Sequence, residues 1–349
     1  MTASRPGRQA QAAPTRTPEY GLVDLGDVRV FTVDGREYRT RYSERLVRML
    51  VERKGARRTP PYFSYKETRG AHFLDPLFRY LRGRGARGLS VLEVGCSFGH
   101  ITEYLADMPE VEAVWTLDTD AAFVEITRTK VEELGLTAVR EVAHLTNDDT
   151  RRLPYADGAF DLVLAIGVVE HLPTRHRRAQ VDEYYRVLAP GGHIAVLDTP
   201  NRAFPLETHS VGLPVVQWLP PRLAYRYARA LRRSKFRDVP YAEFVADGTG
   251  WRNASLRDCL PSSGWTGLED VTEAAGYGWQ FFRETARSRT RRSLLPFFAV
   301  AGAALGILGQ PPSLALPYLN LLIRRRPGSG VSGRPPSGPS TPGVVDRGR

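Results

Sequence analysis

Residues 89–100 read LSVLEVGCSFGH, an apolar run that breaks at Gly95 and again at Gly99. The run from Leu89 to Val94 predicts a buried strand. Glycines four apart at its end predict a tight turn into a helix, where backbone can approach a ligand and unpaired N–H groups face it. A dinucleotide fingerprint would place glycine at 97 and 100, and this chain has Ser97 and His100 there. A nicotinamide cofactor is therefore disfavoured.

Working outward, further apolar runs between turn signals predict strands at Val111 to Leu117, Phe160 to Ile166 and His193 to Leu197, with a weaker one at Thr137 to Ala143. Helical patterns fill the gaps at Asp120 to Leu134 and Arg175 to Leu188, the second stopped by Ala189-Pro190-Gly191-Gly192. Strands alternating with helices predict an α/β fold with a mostly parallel sheet and helices on both faces. Upstream, residues 28–42 alternate around Asp34-Gly35, a tight-hairpin signal. No repeat of solenoid or propeller period is visible.

The 349 residues are 42% hydrophobic and 25% charged, ordinary for a globular chain and unlike a collagen-like, wholly disordered or polytopic membrane protein. The net charge of +11 is unevenly placed: residues 1–20 carry +2 and residues 324–349 carry +5, leaving +4 for the body. Within the body, residues 217–237 hold seven basic side chains and no acid. Residues 1–18 and 326–349 are rich in Pro, Gly and Ser or Ala and read as disordered tails rather than nucleic-acid contacts. Cys96 and Cys259 are too few for a disulfide framework or a cysteine zinc site, and no metal is expected. With no signal-peptide pattern after Met1, the expected location is the cytoplasm, with the inner membrane face as a variant.

Five motifs follow in order, each at or near a strand end where open α/β sheets bind ligands. After the glycine loop come Asp118 at the end of strand two, Asp148-Asp149-Thr150 after strand three, Glu170-His171-Leu172 after strand four, and Val187-Leu188-Ala189-Pro190-Gly191-Gly192 before strand five. This set resembles the class I S-adenosylmethionine-dependent methyltransferases, in the branch with EHL after strand four and VLxPGG before strand five. The resemblance covers residues 70–200. It implies a Rossmann-like sheet of seven strands with the last antiparallel, near Leu314 to Ile323, and S-adenosyl-L-methionine as cofactor. It further implies that Glu93, Gly95, Ser97 and Gly99 cradle the methionine part, that Asp118 takes the ribose hydroxyls, and that Asp149 and Thr150 lie beside the adenine amino group. Ser97 departs from the commoner glycine at the loop's centre.

The acceptor is constrained by what is missing. The Asn/Asp-Pro-Pro-Tyr/Phe motif of base amino-methyltransferases would fall where Gly167-Val168-Val169-Glu170 stands, and no Pro-Cys nucleophile is present. An oxygen acceptor is favoured, on a small molecule, a glycan or a lipid-linked intermediate, and nucleic acid is disfavoured. His171 and His209, both on the acceptor edge, are the candidate catalytic bases. The other readings are a non-catalytic cofactor-binding protein at a membrane surface and an RNA methyltransferase.

The expected organisation is a tail to 18, an N-terminal cap over 19–69, a cofactor-binding core over 70–199, an acceptor-side insertion over 200–260, completion of the sheet over 261–325, and a tail from 326. The insertion, with a basic helix carrying Tyr225 and Tyr227, is similar to inserts of bacterial methyltransferases acting on envelope glycans. Residues 294–309, LLPFFAVAGAALGILG, are too short to span a bilayer, which takes about 20 residues, and read as a buried helix or as one lying in a membrane interface. Peripheral membrane contact is thus expected through 217–237 and 287–309.

Overall fold

The computed structural model describes residues 20–231, 238–285, 292–309 and 311–328. Residues 1–18 of the first tail, residues 329–349 of the second, residues 232–237 and Arg287, Arg289 and Arg291 lie outside them, while Arg326–Gly328 are described and the Arg326 N–H donates to the Gly267 carbonyl. The chain divides between Tyr65 and Lys66 into two compact units.

The first unit holds an antiparallel sheet of β1 Tyr20–Asp24, β2 Arg29–Val33 and β3 Arg36–Thr40. Asp34 and Gly35 both take positive φ (50° and 72°), the conformation a two-residue hairpin needs to match strand twist. Helix α1, Glu44–Lys54, follows, started by Ser43, whose hydroxyl accepts the Leu46 N–H.

The second unit is built on seven strands: β4 Leu89–Val94, β5 Val111–Asp118, β6 Val139–His144, β7 Phe160–Ile166, β8 Leu188–Pro200, β9 Leu268–Asp270 and β10 Tyr318–Arg325. Their order is β6-β5-β4-β7-β8-β10-β9. The first five are parallel, while β10 runs antiparallel to both β8 and β9. Alternate residues face opposite layers. Leu92, Val163 and Ile194 pack with Val181 and Tyr184 of α5 Arg177–Arg186, whereas Val91, Leu162 and Ala195 pack with Leu74 and Leu77 of α2 Ala71–Arg82 and Ile101 of α3 His100–Ala106. Burial on both faces is why these strands read as continuous apolar runs.

Two expectations change in detail. Strand β8 starts at Leu188 rather than His193, because the PGG segment is a kink inside the strand: Phe160 pairs with Leu188 but Leu162 with His193. Gly191 sits at φ 86°, and a Cβ on Gly192 would lie 2.8 Å from the Asp161 carbonyl oxygen. The last strand begins at Tyr318, since Pro312–Ala315 forms a 3-10 turn first.

Helices α3 and α4 (Ala121–Glu133), which flank the glycine loop, are joined by a buried ion pair. Lys130 Nζ lies 3.2 Å from Glu103 Oε2, with side chains 2% and 1% exposed. Two desolvated charges hold their position only while both are present. Lys130→Met should therefore destabilise the protein by about 3–5 kcal/mol, and the double variant Lys130→Met/Glu103→Leu should recover most of that loss. Urea unfolding of the three proteins measures both, and a double variant no more stable than the single one refutes the account.

Candidate active site

The carboxyl ends of β4 and β5 are laced together. The N–H groups of Gly95 and Cys96 both donate to the Leu117 carbonyl, at 2.8 and 3.0 Å. Asp118 then takes a backbone N–H on each oxygen, from Ser97 at 2.9 Å and from Asp120 at 2.9 Å. Burial raises its pKa, against the pull of these donors. Ser97 is held at φ 49° and Gly95 and Gly99 at 80° and 67°, so three of five loop residues are left-handed. A Cβ at Gly95 would sit 2.7 Å from Val168 Cγ2, and one at Gly99 would sit 3.0 Å from Thr127 Cγ2 and Oγ1. Gly95 is therefore required by its φ and by close approach of the β7 loop.

The other expected cofactor residues divide by burial. Glu93 is buried and accepts from Thr102 Oγ1 at 2.5 Å and Thr116 Oγ1 at 2.9 Å, with burial raising its pKa to about 7. Its carboxyl group braces the loop from beneath. Asp149 is exposed and accepts the N–H and hydroxyl of Thr146, which lower its pKa. Thr150 is buried, its hydroxyl donating to the Asn147 carbonyl at 3.0 Å and accepting from Gln180 Nε2 at 2.5 Å. Nothing in the local sequence marks Gln180 for this role.

S-adenosylmethionine fits the donor set at the end of β5. Each Asp118 oxygen has one backbone partner and keeps lone-pair capacity for a hydroxyl, as a vicinal diol requires. Asp118 would hold the ribose, and the turn from Gly95 to Gly99 would offer backbone to the remainder.

His171 and His209, 38 residues apart, come together with their Nε2 atoms 3.1 Å from each other and rings edge to face. His171 Nδ1 lies 2.6 Å from the Gly248 carbonyl oxygen. A carbonyl only accepts, so Nδ1 carries the proton and Nε2 of neutral His171 has the lone pair. Gly250, at φ 70°, passes over the pair so closely that a Cβ would be 3.0 Å from His171 Cε1 and 3.3 Å from His209 Cδ2.

His209 is held by Glu207, a fully buried carboxylate that accepts the backbone N–H groups of His209, Ser210, Val211 and Gly212. Its only visible signal was a lone acid in an apolar, proline-rich stretch. Glu170 is also buried, and burial, with the nearby charge of Asp198 adding, raises its pKa to about 8. Arg69 and Asp198, missed as well, form an ion pair at 2.5 Å, with Asp198 at φ 53° at the end of β8. A shallow, open cleft adjoins Glu170 and is lined also by Arg177, Asp247, Gly250, Trp251 and Arg252.

The insertion has a core of its own. Tyr225 and Tyr227 of α6 Pro221–Ala230 pack on a cluster of Val211, Leu213, Phe244 and Trp251. The expected interleaving of basic and aromatic side chains thus serves packing, leaving Arg222, Arg226 and Arg229 exposed. Helix α7, Leu295–Ile307, corrects the buried-helix reading. Phe298 and Gly302 are its buried residues, while Phe297, Val300 and Ile307 are 67%, 71% and 88% exposed. Among the described residues no helix is long and apolar enough to cross a membrane.

Residues 91–192 match the family model described as "Methyltransferase domain". Among similar proteins are "Probable tRNA methyltransferase 9B" of Mus musculus, 31% identical over 34% of this chain and 24% of that protein, and "Methyltransferase GfsG" of Streptomyces halstedii, 33% identical over 32% and 38%. The phosphatidylethanolamine N-methyltransferase of Cereibacter sphaeroides is 34% identical over 32% of this chain and 51% of its own. The chain thus spans a quarter to a half of the length of these relatives. A solved structure, the YcgJ protein of Bacillus, aligns with a TM-score of 0.37 and 17% identity over 73% of this chain and 99% of that one. The domain is a class I S-adenosylmethionine-dependent methyltransferase domain, as its family match and sheet order agree.

Asp118→Ala should weaken binding of S-adenosylhomocysteine by about tenfold or more, since it removes charge-assisted hydrogen bonds. Gly95→Ala should also weaken it, and adding Val168→Ala should restore part of the loss by removing the clash but not the φ strain. Calorimetry measures all three. Unchanged affinity in a folded Asp118→Ala protein removes that residue from the cofactor site.

Proposed function

We propose that the chain transfers a methyl group from S-adenosylmethionine to an oxygen of a saccharide, lipid-linked intermediate or other natural product. The imidazole pair of His171 and His209 carries this reading. Bound S-adenosylmethionine supplies a methyl group already activated on a sulfonium. The protein is left with positioning, exclusion of water and removal of one proton. A hydroxyl acceptor loses that proton as the new bond forms, and a neutral imidazole is the side chain suited to take it near neutral pH. His209 is held through its backbone by Glu207, and His171 is held through its ring by Gly248.

The lipid-linked class draws support from the surface. The exposed residues Phe297, Val300 and Ile307 fall three to four apart or a multiple of that and form one apolar stripe. Arginines 287, 289, 291 and 292 precede it in the sequence, and α6 exposes three more on the insertion. Apolar and cationic groups of this kind suit an anionic lipid surface at the inner membrane face. One relative's name specifies a lipid acceptor, methylated on nitrogen, and another's specifies tRNA.

His209→Ala should lower turnover on a hydroxyl acceptor by about 10²-fold while cofactor affinity stays within a few fold. The screen that finds the acceptor includes glycans, lipid-linked glycans, lipids and tRNA. Absence of any methylated product, with cofactor bound, would favour the non-catalytic reading, and a tRNA product would overturn the oxygen-glycan one. Phe297→Glu with Ile307→Glu should reduce co-sedimentation with phosphatidylglycerol vesicles by about tenfold. Unchanged co-sedimentation removes the apolar stripe from membrane contact.

A further inference from the structure

Glu170 poses a problem that the methyl-transfer reading does not solve. Both of its carboxylate oxygens are buried, and neither has a hydrogen-bond partner on any other described residue. Burying such a group without compensation costs several kcal/mol, so an unpartnered carboxylate inside a native protein calls for a physical cause. Nearby cations are otherwise engaged. Arg69 pairs with Asp198, and Arg177 donates to the Glu170 and Leu172 carbonyls.

The carboxylate faces two imidazoles. Glu170 Oε1 lies 3.8 Å from His171 Nε2, and one donor atom each from Glu170, His171 and His209 all fall within 4.8 Å of one another. We propose that Glu170, His171 and His209 form a site for a divalent transition-metal ion, of the zinc class.

Four observations carry this beyond proximity. The donor set of two imidazoles and one carboxylate is that of catalytic zinc and of non-haem iron(II) sites, leaving positions open for water or substrate. The Nε2 atoms stand 3.1 Å apart, close to the roughly 3.4 Å that two nitrogens about 2.05 Å from one tetrahedral ion would have. The Gly248 carbonyl takes the Nδ1 proton of His171 and so presents the Nε2 lone pair, the outer hydrogen bond that metal-bound histidines characteristically have. Finally, Glu207 fixes the backbone that brings His209 in, so the site is already assembled.

The site departs from the expectation of a metal-free protein, which rested on cysteine count alone. It also deepens the oxygen-acceptor reading, on which its catalytic role rests. An acceptor hydroxyl bound at an open position would lose its proton more readily, the imidazoles then serving as ligands instead of as the base, with the proton passing to water. Ion binding is measured independently of activity, so its failure leaves oxygen methylation standing.

The experiment uses the full chain, free of any affinity tag and stripped with EDTA, titrated with cobalt(II) by visible absorption and with zinc(II) by calorimetry. One ion should bind per chain. Glu170→Gln and His209→Ala should each weaken binding by about tenfold or more, while His144→Ala, an exposed histidine outside the cluster, should bind as the parent does. S-adenosylhomocysteine affinity, measured on the same preparations, reports that the fold survives. Loss of ion binding with cofactor affinity retained supports the site. Failure of the parent protein to bind either ion stoichiometrically overturns it, as does equal affinity in parent and both variants. Should His209→Ala prove unfolded, Glu170→Gln alone decides, being nearly isosteric and needing no new space.

Discussion

The Asp118 carboxylate ties two loops together, and the cofactor half of the molecule depends on that tie. One oxygen holds the Ser97 N–H across the β4 turn, and the other holds the Asp120 N–H at the start of α4. The geometry admits this only because the loop turns sharply, with left-handed backbone at Gly95, Ser97 and Gly99. A non-glycine residue at such a φ costs about 1–2 kcal/mol, which a charge-assisted hydrogen bond of about 1.5–3 kcal/mol can offset. Ser97 is tolerated at the centre of the turn for this reason. The same bond fixes the carboxylate beside the loop, so the group expected to take the ribose diol also sets the shape of the turn.

Around the histidine pair the organising group is also a buried carboxylate, but it acts on an insertion rather than on the sheet. Glu207 gathers four N–H groups into a rigid turn, an arrangement similar to an anion held in a nest of backbone donors, except that the anion belongs to the protein. Asn201 performs a related task. Its amide nitrogen donates to the Leu314 and Leu316 carbonyls, tying the end of β8 to the turn before β10. The antiparallel last strand therefore anchors the base of the insertion as well as closing the sheet.

Much of the sheet was legible because its strands are buried on both faces, and a short continuous apolar run such as Phe160–Ile166, bounded by turn residues, is what a doubly covered strand requires. The Asp34-Gly35 turn was legible for a different reason, the backbone freedom of that dipeptide. Strand β9 was not, since Leu-Glu-Asp is too short for any period and pairs only because β10 offers an edge. The α7 segment misled in the opposite direction. Uniform apolarity normally means burial, yet only Phe298 and Gly302 are buried, against Phe282, Leu316 and Pro312. Composition reports that a surface is apolar and says nothing of what covers it.

The site shows the same division more sharply. The residues expected to hold the cofactor lie within a turn or at the end of the adjacent strand, so a local pattern of glycine and acid spacing is enough to propose them. The histidine cluster joins residues from three places: the turn after β7, the loop after β8, and the Gly248–Gly250 segment that begins 77 residues beyond His171. No local period links these. His171 and His209 could be picked out singly by chemistry, but their contact, the carbonyl that sets a tautomer and the carboxylate beside them arise only when the insertion folds back. Glu170 illustrates why the motif alone undersold the site. Read as a tripeptide, EHL offers one histidine, whereas in the fold it offers a histidine and a buried acid whose donor atoms lie close together, with a second histidine brought to meet them.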